Sequence, residues 1–258
     1  MQILNSQFDP ESFYARLEGS RRRLLMLDYD GTLAPFTPDR DRALPYPEIE
    51  GTLEQLFGSQ STRVVLISGR STANLSELLP TKMHPEIWGC HGQERLTREG
   101  EYSCAALPED TGNKLTELLL WIEETGLVEV SEFKPSGAAF HWRGLPSDRA
   151  DEIKKAVLNK WGDASSMPGL ELLSFDGGIE IRVAGTNKAI PVKQLLDSVE
   201  ADTVSCYLGD DLTDEDAFRA IHGRGLSVLV RDSLRETAAD LWLKPPDELA
   251  EFLTRWIR

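Results

Sequence analysis

The chain has 258 residues, enough to bury a large core in one domain or two. Its formal charge of −15 and isoelectric point near 4.8 would repel nucleic acid and anionic membrane surfaces, so an anionic substrate needs a local positive cluster or a metal ion. Cys90, Cys104 and Cys206 are odd in number and widely spaced, residues 1–20 carry no apolar stretch of the signal-peptide kind, and no apolar run is long enough for a bilayer. Reduced, buried thiols in a cytoplasmic protein are expected, with no nucleic-acid or membrane partner.

Residues 8–19 have the spacing of a short amphipathic helix. They lead into Arg23-Leu24-Leu25-Met26-Leu27, a largely apolar run that reads as a buried strand with Asp28 and Asp30 at its carboxyl end. In an open α/β sheet that end is where ligands bind. A carboxylate there can attack phosphorus and carry the phosphoryl group as an acyl phosphate. A second carboxylate two residues on can protonate the leaving alcohol and then deprotonate the hydrolytic water. Gly31 allows a tight turn, and Thr32 adds a hydroxyl for phosphate oxygens. A solvated Asp-Gly turn closing a strand fits the same stretch equally well.

Residues 35–47 hold four prolines and form a loop, and 49–57 have helical spacing closed by Gly58. A strand over 62–67 ends in Ser68-Gly69-Arg70, and Ser71 or Thr72 caps a helix running to 79. Ser68 and Gly69 therefore sit between a strand end and a helix start, a natural seat for phosphate. A short strand over 87–91 precedes Gly92-Gln93-Glu94.

From residue 96 the pattern changes. A strand over 101–105, a helix over 112–124, strands over 128–134 and 138–143, a helix over 149–161 capped by Ser147, and strands over 170–175 and 179–184 joined by Asp176-Gly177-Gly178 write helix-strand-strand twice. This is an antiparallel α+β unit inserted in a βα alternation that resumes with a helix over 187–198 and a strand over 203–208. Strands over 226–230 and 241–243 and a helix over 246–257 close the chain. The expected fold is α/β, a Rossmann-like parallel-sheet core (1–95 and 185–258) with an inserted α+β cap domain (96–184).

Three strand ends thus offer Asp28 with Asp30, Ser68, and Asp210 with Asp211 and Asp214. Carboxylates gathered from separate strands repel unless a cation lies between them, and oxygen-only ligands beside phosphate suit Mg²⁺. An acidic helix start accounts for Glu215 and Asp216 but not for Asp210, which precedes the helix. Lys188 is the cation placed to offset the cluster, although a lone lysine there is ordinarily a solvated surface charge.

With these residues in order, the chain resembles the haloacid dehalogenase superfamily of phosphotransferases: Asp28-x-Asp30-Gly31-Thr32, Ser68-Gly69-Arg70, Lys188, and Gly209-Asp210-Asp211 followed by Asp214. More narrowly, the run from Gly209 through Asp214 to Phe218 looks like the fourth motif of the trehalose-6-phosphate phosphatases. Trp88-Gly89-Cys90-His91-Gly92-Gln93-Glu94 and the segment 133–143 are similar to that family's hinge and cap segments. Val183 stands where the family usually has proline and Ala189 where it usually has glycine, and neither change removes a chemical group. The resemblance implies an enzyme, a Mg²⁺-dependent phosphoric monoester hydrolase, with Asp28 as nucleophile and Asp30 as general acid/base. It implies Mg²⁺ held by Asp28, the Asp30 carbonyl and Asp210, with Asp211 and Asp214 bonding or orienting that shell. Thr32, Ser68, Gly69 and Lys188 would hold the phosphoryl group. Lys134, His141 and Glu180, with Glu132 and Arg143, would bind sugar hydroxyls, His141 and Arg143 sharing one face of a strand. The substrate implied is a small sugar phosphate, trehalose 6-phosphate first, and a monomer is expected. The alternatives are mannosyl-3-phosphoglycerate, sucrose 6-phosphate or glucosylglycerol phosphate as substrate, or a sugar phosphomutase.

Overall fold

The structure, a computed structural model, describes residues 1–37, 39–79, 85–163, 167–175 and 177–257. Its organising element is β2 (Arg23–Leu27), every residue of which is buried. Leu25 and Leu27 pack into one apolar cluster with Leu17, Leu53, Leu56 and Phe252, while Leu24 and Met26 pack into a second with Val192, Leu195, Phe218 and Ile221. Both faces of the strand are covered, which is why its sequence is a run and not an alternation. Each such side chain contributes about 1.5–3 kcal/mol of burial.

Around β2 lies a nine-stranded sheet. To one side are β3 (Thr62–Ile67), β4 (Glu86–Gly89), β5 (Glu94–Leu96) and β6 (Tyr102–Cys104); to the other are β11 (Val204–Gly209), β12 (Leu226–Val230), β13 (Leu241–Leu243) and β1 (Gln2–Ile3). The six strands from β13 to β4 run parallel, whereas β1 and β5 are antiparallel to their neighbours. The chain winds outward from β2 through β3 and β4, then restarts at β11 and winds the other way. The switch point is therefore at β2 and β11, the place in such a sheet where a crevice opens at the carboxyl ends. Helices α1 (Pro10–Gly19), α2 (Glu50–Gly58), α3 (Thr72–Leu78), α6 (Ala189–Asp197), α7 (Glu215–Ile221) and α8 (Asp247–Thr254) complete this unit.

A second compact unit spans Cys104–Thr186. Its antiparallel sheet has the order β7 (Ser131–Lys134), β8 (Gly137–His141), β10 (Gly178–Val183), β9 (Leu170–Phe175). Helices α4 (Glu109–Glu124) and α5 (Ser147–Trp161) bring Leu118, Ile122, Val157 and Trp161 onto Phe140, Ile179 and Ile181 in a core of its own. Period-2 alternation leaves Glu132, Lys134, His141 and Glu180 on the sheet's other face.

Several expectations need correction. The inserted unit begins at 104 and not at 96, because residues 94–96 and 102–104 add two further strands to the larger sheet. Cys104, expected to be buried, is exposed on that sheet's outermost strand, while Cys90 and Cys206 are buried as expected. The strand expected over 138–143 stops at His141, where Trp142 N–H donates to Gly177 O at 2.9 Å and Leu145 N–H to Trp142 O at 3.1 Å as the chain turns. Arg143 therefore shares no strand with His141. Ser147 begins α5 without capping it, whereas Ser71 caps α3 as expected, its Oγ accepting from Asn74 N–H at 3.2 Å. The hairpin residue Asp176 lies outside the described residues. No helix among the described residues is long and apolar enough to cross a membrane.

Candidate active site

Asp28 is delivered by the last pairing of β2, where its N–H donates to Leu208 O at 2.9 Å on β11. The chain then folds back at once, with Leu33 and Ala34 N–H both donating to Tyr29 O at 2.8 and 3.0 Å. This turn needs Gly31 for two reasons. Its φ is +80°, and a Cβ there would lie 2.1 Å from Asp210 Oδ2, so the bare backbone is what lets the two acidic loops touch.

Lys188 closes the cluster. It stands at the start of α6, is only 3% exposed, and its Nζ donates to Asp28 Oδ1 at 2.6 Å and to Asp214 Oδ1 at 2.8 Å. Burial disfavours its charge, but the Asp214 and Asp28 carboxylates outweigh burial and hold its pKa above the ordinary value. Asp28 moves the other way from a usual carboxylate. Burial pushes its pKa up to about 7, Lys188 pulls down, and the neighbouring Asp214 raises it again. Burial, with Asp28 and Asp214 beside it, likewise raises Asp210 well above the carboxylate range.

Asp28, Asp210 and Asp214 each offer an oxygen within 4.8 Å of the others, and among the described residues Lys188 is the lysine bonded to this group, through Asp28 and Asp214. Three buried carboxylates against one ammonium, two of them titrating high, form an under-compensated oxygen donor set of the kind a hard divalent cation fits. Asp214, however, is fully engaged. Its Oδ1 accepts from Lys188 Nζ and, at 2.5 Å, from Tyr207 OH, and its Oδ2 accepts from the Asp210 and Asp211 N–H groups at 3.0 Å each. It orients the loop, and Gly209 must lack a side chain because a Cβ would fall 2.4 Å from Asp214 Cγ. Asp211 lies outside the three-carboxylate group, its half-exposed carboxylate 4.0 Å from Arg231.

Thr32 and the second strand end differ in detail from expectation. The Thr32 hydroxyl donates to Asp28 Oδ2 at 3.2 Å, so it steadies that carboxylate instead of standing free for phosphate. Ser68 is buried, its Oγ accepting from Arg70 N–H at 3.2 Å. Asp30 is gripped by Arg70 through two bonds of 2.7 Å. Cys90 and His91, with φ of +49° and +55°, take left-handed conformations that cost non-glycine residues about 1–2 kcal/mol each. They are held there by Cys90 N–H to Arg70 O at 2.8 Å, His91 N–H to Ser68 O at 2.9 Å and Cys90 Sγ to Glu94 Oε2 at 3.2 Å. His91 consequently lies against Gly69, where an added Cβ would come 2.7 Å from its Nε2.

Sequence reasoning left Tyr207, Arg70, Arg231 and Arg235 without a role. Arg231 and Arg235 donate to Asp210 O at 3.2–3.4 Å, and Arg235 also to Asp211 O at 2.8 Å, bracing the acidic loop from beyond β12. Tyr207 is the one aromatic residue of the 203–208 run, which was a usable signal; nothing in the spacing marks the two arginines.

In the second unit, four of the five expected sugar-binding residues are linked. Lys134 Nζ donates to Glu180 Oε1 at 2.7 Å and lies 3.9 Å from Glu132, which pairs with His141 Nε2 at 3.1 Å. The fifth, Arg143, is exposed beyond the strand end, against Gly177.

The trehalose-phosphatase family model matches residues 26–244, from the strand that carries Asp28 to the last strand of the sheet. The chain belongs to the trehalose-phosphatase family. Among relatives of this family member, a trehalose-phosphate phosphatase of Mycobacterium marinum is 33% identical over 249 residues, covering 91% of this chain and 61% of the relative. The chain therefore spans 61% of that relative's length. A probable trehalose-phosphate phosphatase H of Arabidopsis thaliana is 30% identical over 263 residues, covering 93% of this chain and 73% of the relative. In three dimensions the trehalose phosphatase fold is shared with the C-terminal domain of a Candida albicans trehalose-6-phosphate phosphatase, at a TM-score of 0.74 and 22% identity over 98% of both chains.

Proposed function

We propose that this chain hydrolyses the phosphate ester of trehalose 6-phosphate through a phosphoryl group carried on Asp28. The observation that carries the reading is the buried contact of Lys188 with both Asp28 and Asp214 at the switch point of the sheet. It keeps a carboxylate aimed and partly neutralised in a site otherwise too acidic for an anionic substrate. An Asp28 oxygen attacks phosphorus as the bond from phosphorus to the sugar oxygen breaks, and Asp30 gives its proton to that departing oxygen. Asp30 then takes a proton from water, the water oxygen bonds to phosphorus, and cleavage of the bond from phosphorus to the Asp28 oxygen releases phosphate and restores the carboxylate. Lys188 and Ser68 face the charge spreading over the phosphoryl oxygens.

Mg²⁺ fits this donor set, and Asp28 and Asp210, with the Asp30 carbonyl, would hold it. When bound it supplies the positive charge that the three carboxylates lack. Asp214 and Tyr207 keep Lys188 and the Asp210 loop in place. In the second unit, Lys134, Glu180, Glu132 and His141 form a pre-paired polar face suited to sugar hydroxyls.

The test is phosphate release across trehalose 6-phosphate, sucrose 6-phosphate, mannosyl-3-phosphoglycerate and glucosylglycerol phosphate, with rapid-quench trapping of labelled phosphate on the peptide containing Asp28. Trehalose 6-phosphate should have the largest kcat/KM, and Asp28→Asn should lose both label and turnover. Label on another residue overturns the mechanism; preference for another ester overturns the substrate alone.

A further inference from the structure

The mechanism asks Asp30 to move a proton, and one neighbour, Arg70, holds its carboxylate. Arg70 Nε donates to Asp30 Oδ2 and Arg70 Nη2 to Asp30 Oδ1, both at 2.7 Å, so one guanidinium edge meets one carboxylate edge side-on. The Arg70 side chain is itself buried, 8% exposed, against 31% for Asp30. Its remaining arm, Nη1, donates to Asn74 Oδ1 at 2.7 Å, and its guanidinium carbon lies 5.9 Å from the Tyr29 ring centroid. Asn74 is in turn fixed by Ser71 and reaches Asp41 in the loop after the first turn, Nδ2 to Oδ1 at 3.3 Å.

We infer that Arg70 is the positioning residue of the leaving-group step, acting on the ester oxygen through Asp30. The inference rests on the reading of Asp30 as the acid. A carboxylate has about four acceptor positions, and the fork takes one on each oxygen along a single edge. That fixes the carboxyl plane to the guanidinium plane and leaves the outward positions to carry the proton that goes to the sugar oxygen as its bond to phosphorus breaks. Lysine cannot hold a plane in this way, because it is a point charge without a fork. Asn74 extends the brace to the loop containing Asp41, so three segments distant in sequence set the direction of one carboxyl group.

A residue that works through the acid has a recognisable signature. A sugar alkoxide is a poor leaving group and needs the proton, whereas p-nitrophenolate leaves without it. The experiment measures the first-turnover rate of ester cleavage by the full chain, release of trehalose or p-nitrophenolate before the water step that Asp30 also serves, on trehalose 6-phosphate and on p-nitrophenyl phosphate for wild type, Arg70→Ala, Arg70→Lys, Asn74→Ala and Asp30→Asn. Arg70→Ala should slow the sugar phosphate by about ten- to a hundredfold, as misplacement of a catalytic group does, and leave the aryl phosphate within about twofold. Arg70→Lys should fall between, Asn74→Ala should show a smaller loss of the same selectivity, and adding Arg70→Ala to Asp30→Asn should slow the enzyme no further. Equal losses on both substrates in Arg70→Ala, with Asp30→Asn still selective, overturn the inference and leave the acid assignment standing. Should Arg70→Ala not fold, Asn74→Ala decides: a selective loss supports the inference, and an unselective or absent one overturns it. If Asp30→Asn is itself unselective, the underlying reading of Asp30 is what fails.

Discussion

Replacing Lys188 by Met tests whether one ammonium balances the acidic centre. The side chain is nearly isosteric, so packing against its neighbours survives while two bonds of 2.6 and 2.8 Å and a positive charge are lost. Removing one partner from a buried ion pair costs about 3–5 kcal/mol, because the remaining charge stays buried without compensation. At about 2–4 °C per kcal/mol for a unit of this size, the melting temperature of metal-free protein should fall by roughly 6–20 °C at pH 8. The pH dependence follows from the direction of each shift. Lys188 titrates above its ordinary value, so its contribution is constant from pH 5 to 8. Asp28 is raised from 3.8 to about 7, so the folded state binds its proton more tightly than the unfolded chain. Its contribution is fully present below pH 3.8 and lost as pH rises through about 7. Without Lys188 the Asp28 proton is held tighter still, and the penalty of the substitution should shrink toward pH 5, where Asp28 is neutral. Thermal unfolding followed by circular dichroism at pH 5 and pH 8, without divalent cations, measures this directly. A penalty below about 1 kcal/mol at pH 8, typical of an exposed pair, would refute the reasoning; so would one of equal size at both pH values.

Three further outcomes are expected. Binding of Mg²⁺ to metal-free protein, followed by calorimetry in buffers of different ionisation enthalpy, should release more protons at pH 6 than at pH 8, because Asp28 and Asp210 are both raised, and Asp210→Ala should abolish the heat. Gly31→Ala should destabilise the fold by about 1–3 kcal/mol in chemical denaturation, since φ is +80° and the new Cβ would meet the Asp210 carboxylate. Lys134→Ala should lower kcat/KM for trehalose 6-phosphate by the equivalent of about 1–3 kcal/mol by leaving Glu180 unpaired, with p-nitrophenyl phosphate hydrolysis unchanged; equal losses on both would assign the pair to the fold.

What could be read from the sequence follows a physical division. The parallel sheet announced itself because strands covered on both faces must be apolar throughout, as in Leu24-Leu25-Met26-Leu27, and because each functional carboxylate lies within three residues of such a run or begins the helix after it. Lys188 was legible only through the deficit of positive charge around Asp28 and Asp210; its own surroundings, an ordinary helix start, gave no sign of a side chain 3% exposed. The unit boundary was misplaced because strands of three residues, 94–96 and 102–104, carry too little alternation to reveal which sheet they join. Arg143 was misplaced for a related reason: alternation was extended past His141 into a turn that Gly144, at φ +81°, makes possible.

The groups that sequence reasoning left without a role share a property. Tyr207, Arg70, Arg231 and Arg235 are directional donors that act on residues already named: Tyr207 on Asp214, Arg70 on Asp30, and the last two on the carbonyls of Asp210 and Asp211. Their partners lie 7 to 40 residues away in sequence, so no local spacing encodes the contact. The acidic residues can be recognised because their chemistry demands a type and an order along the chain. A brace has only to reach its target with a suitable donor, and many positions in the fold satisfy that condition. The acid centre is thereby specified twice, once by motif and once by geometry, and only the first specification is visible before the chain is folded.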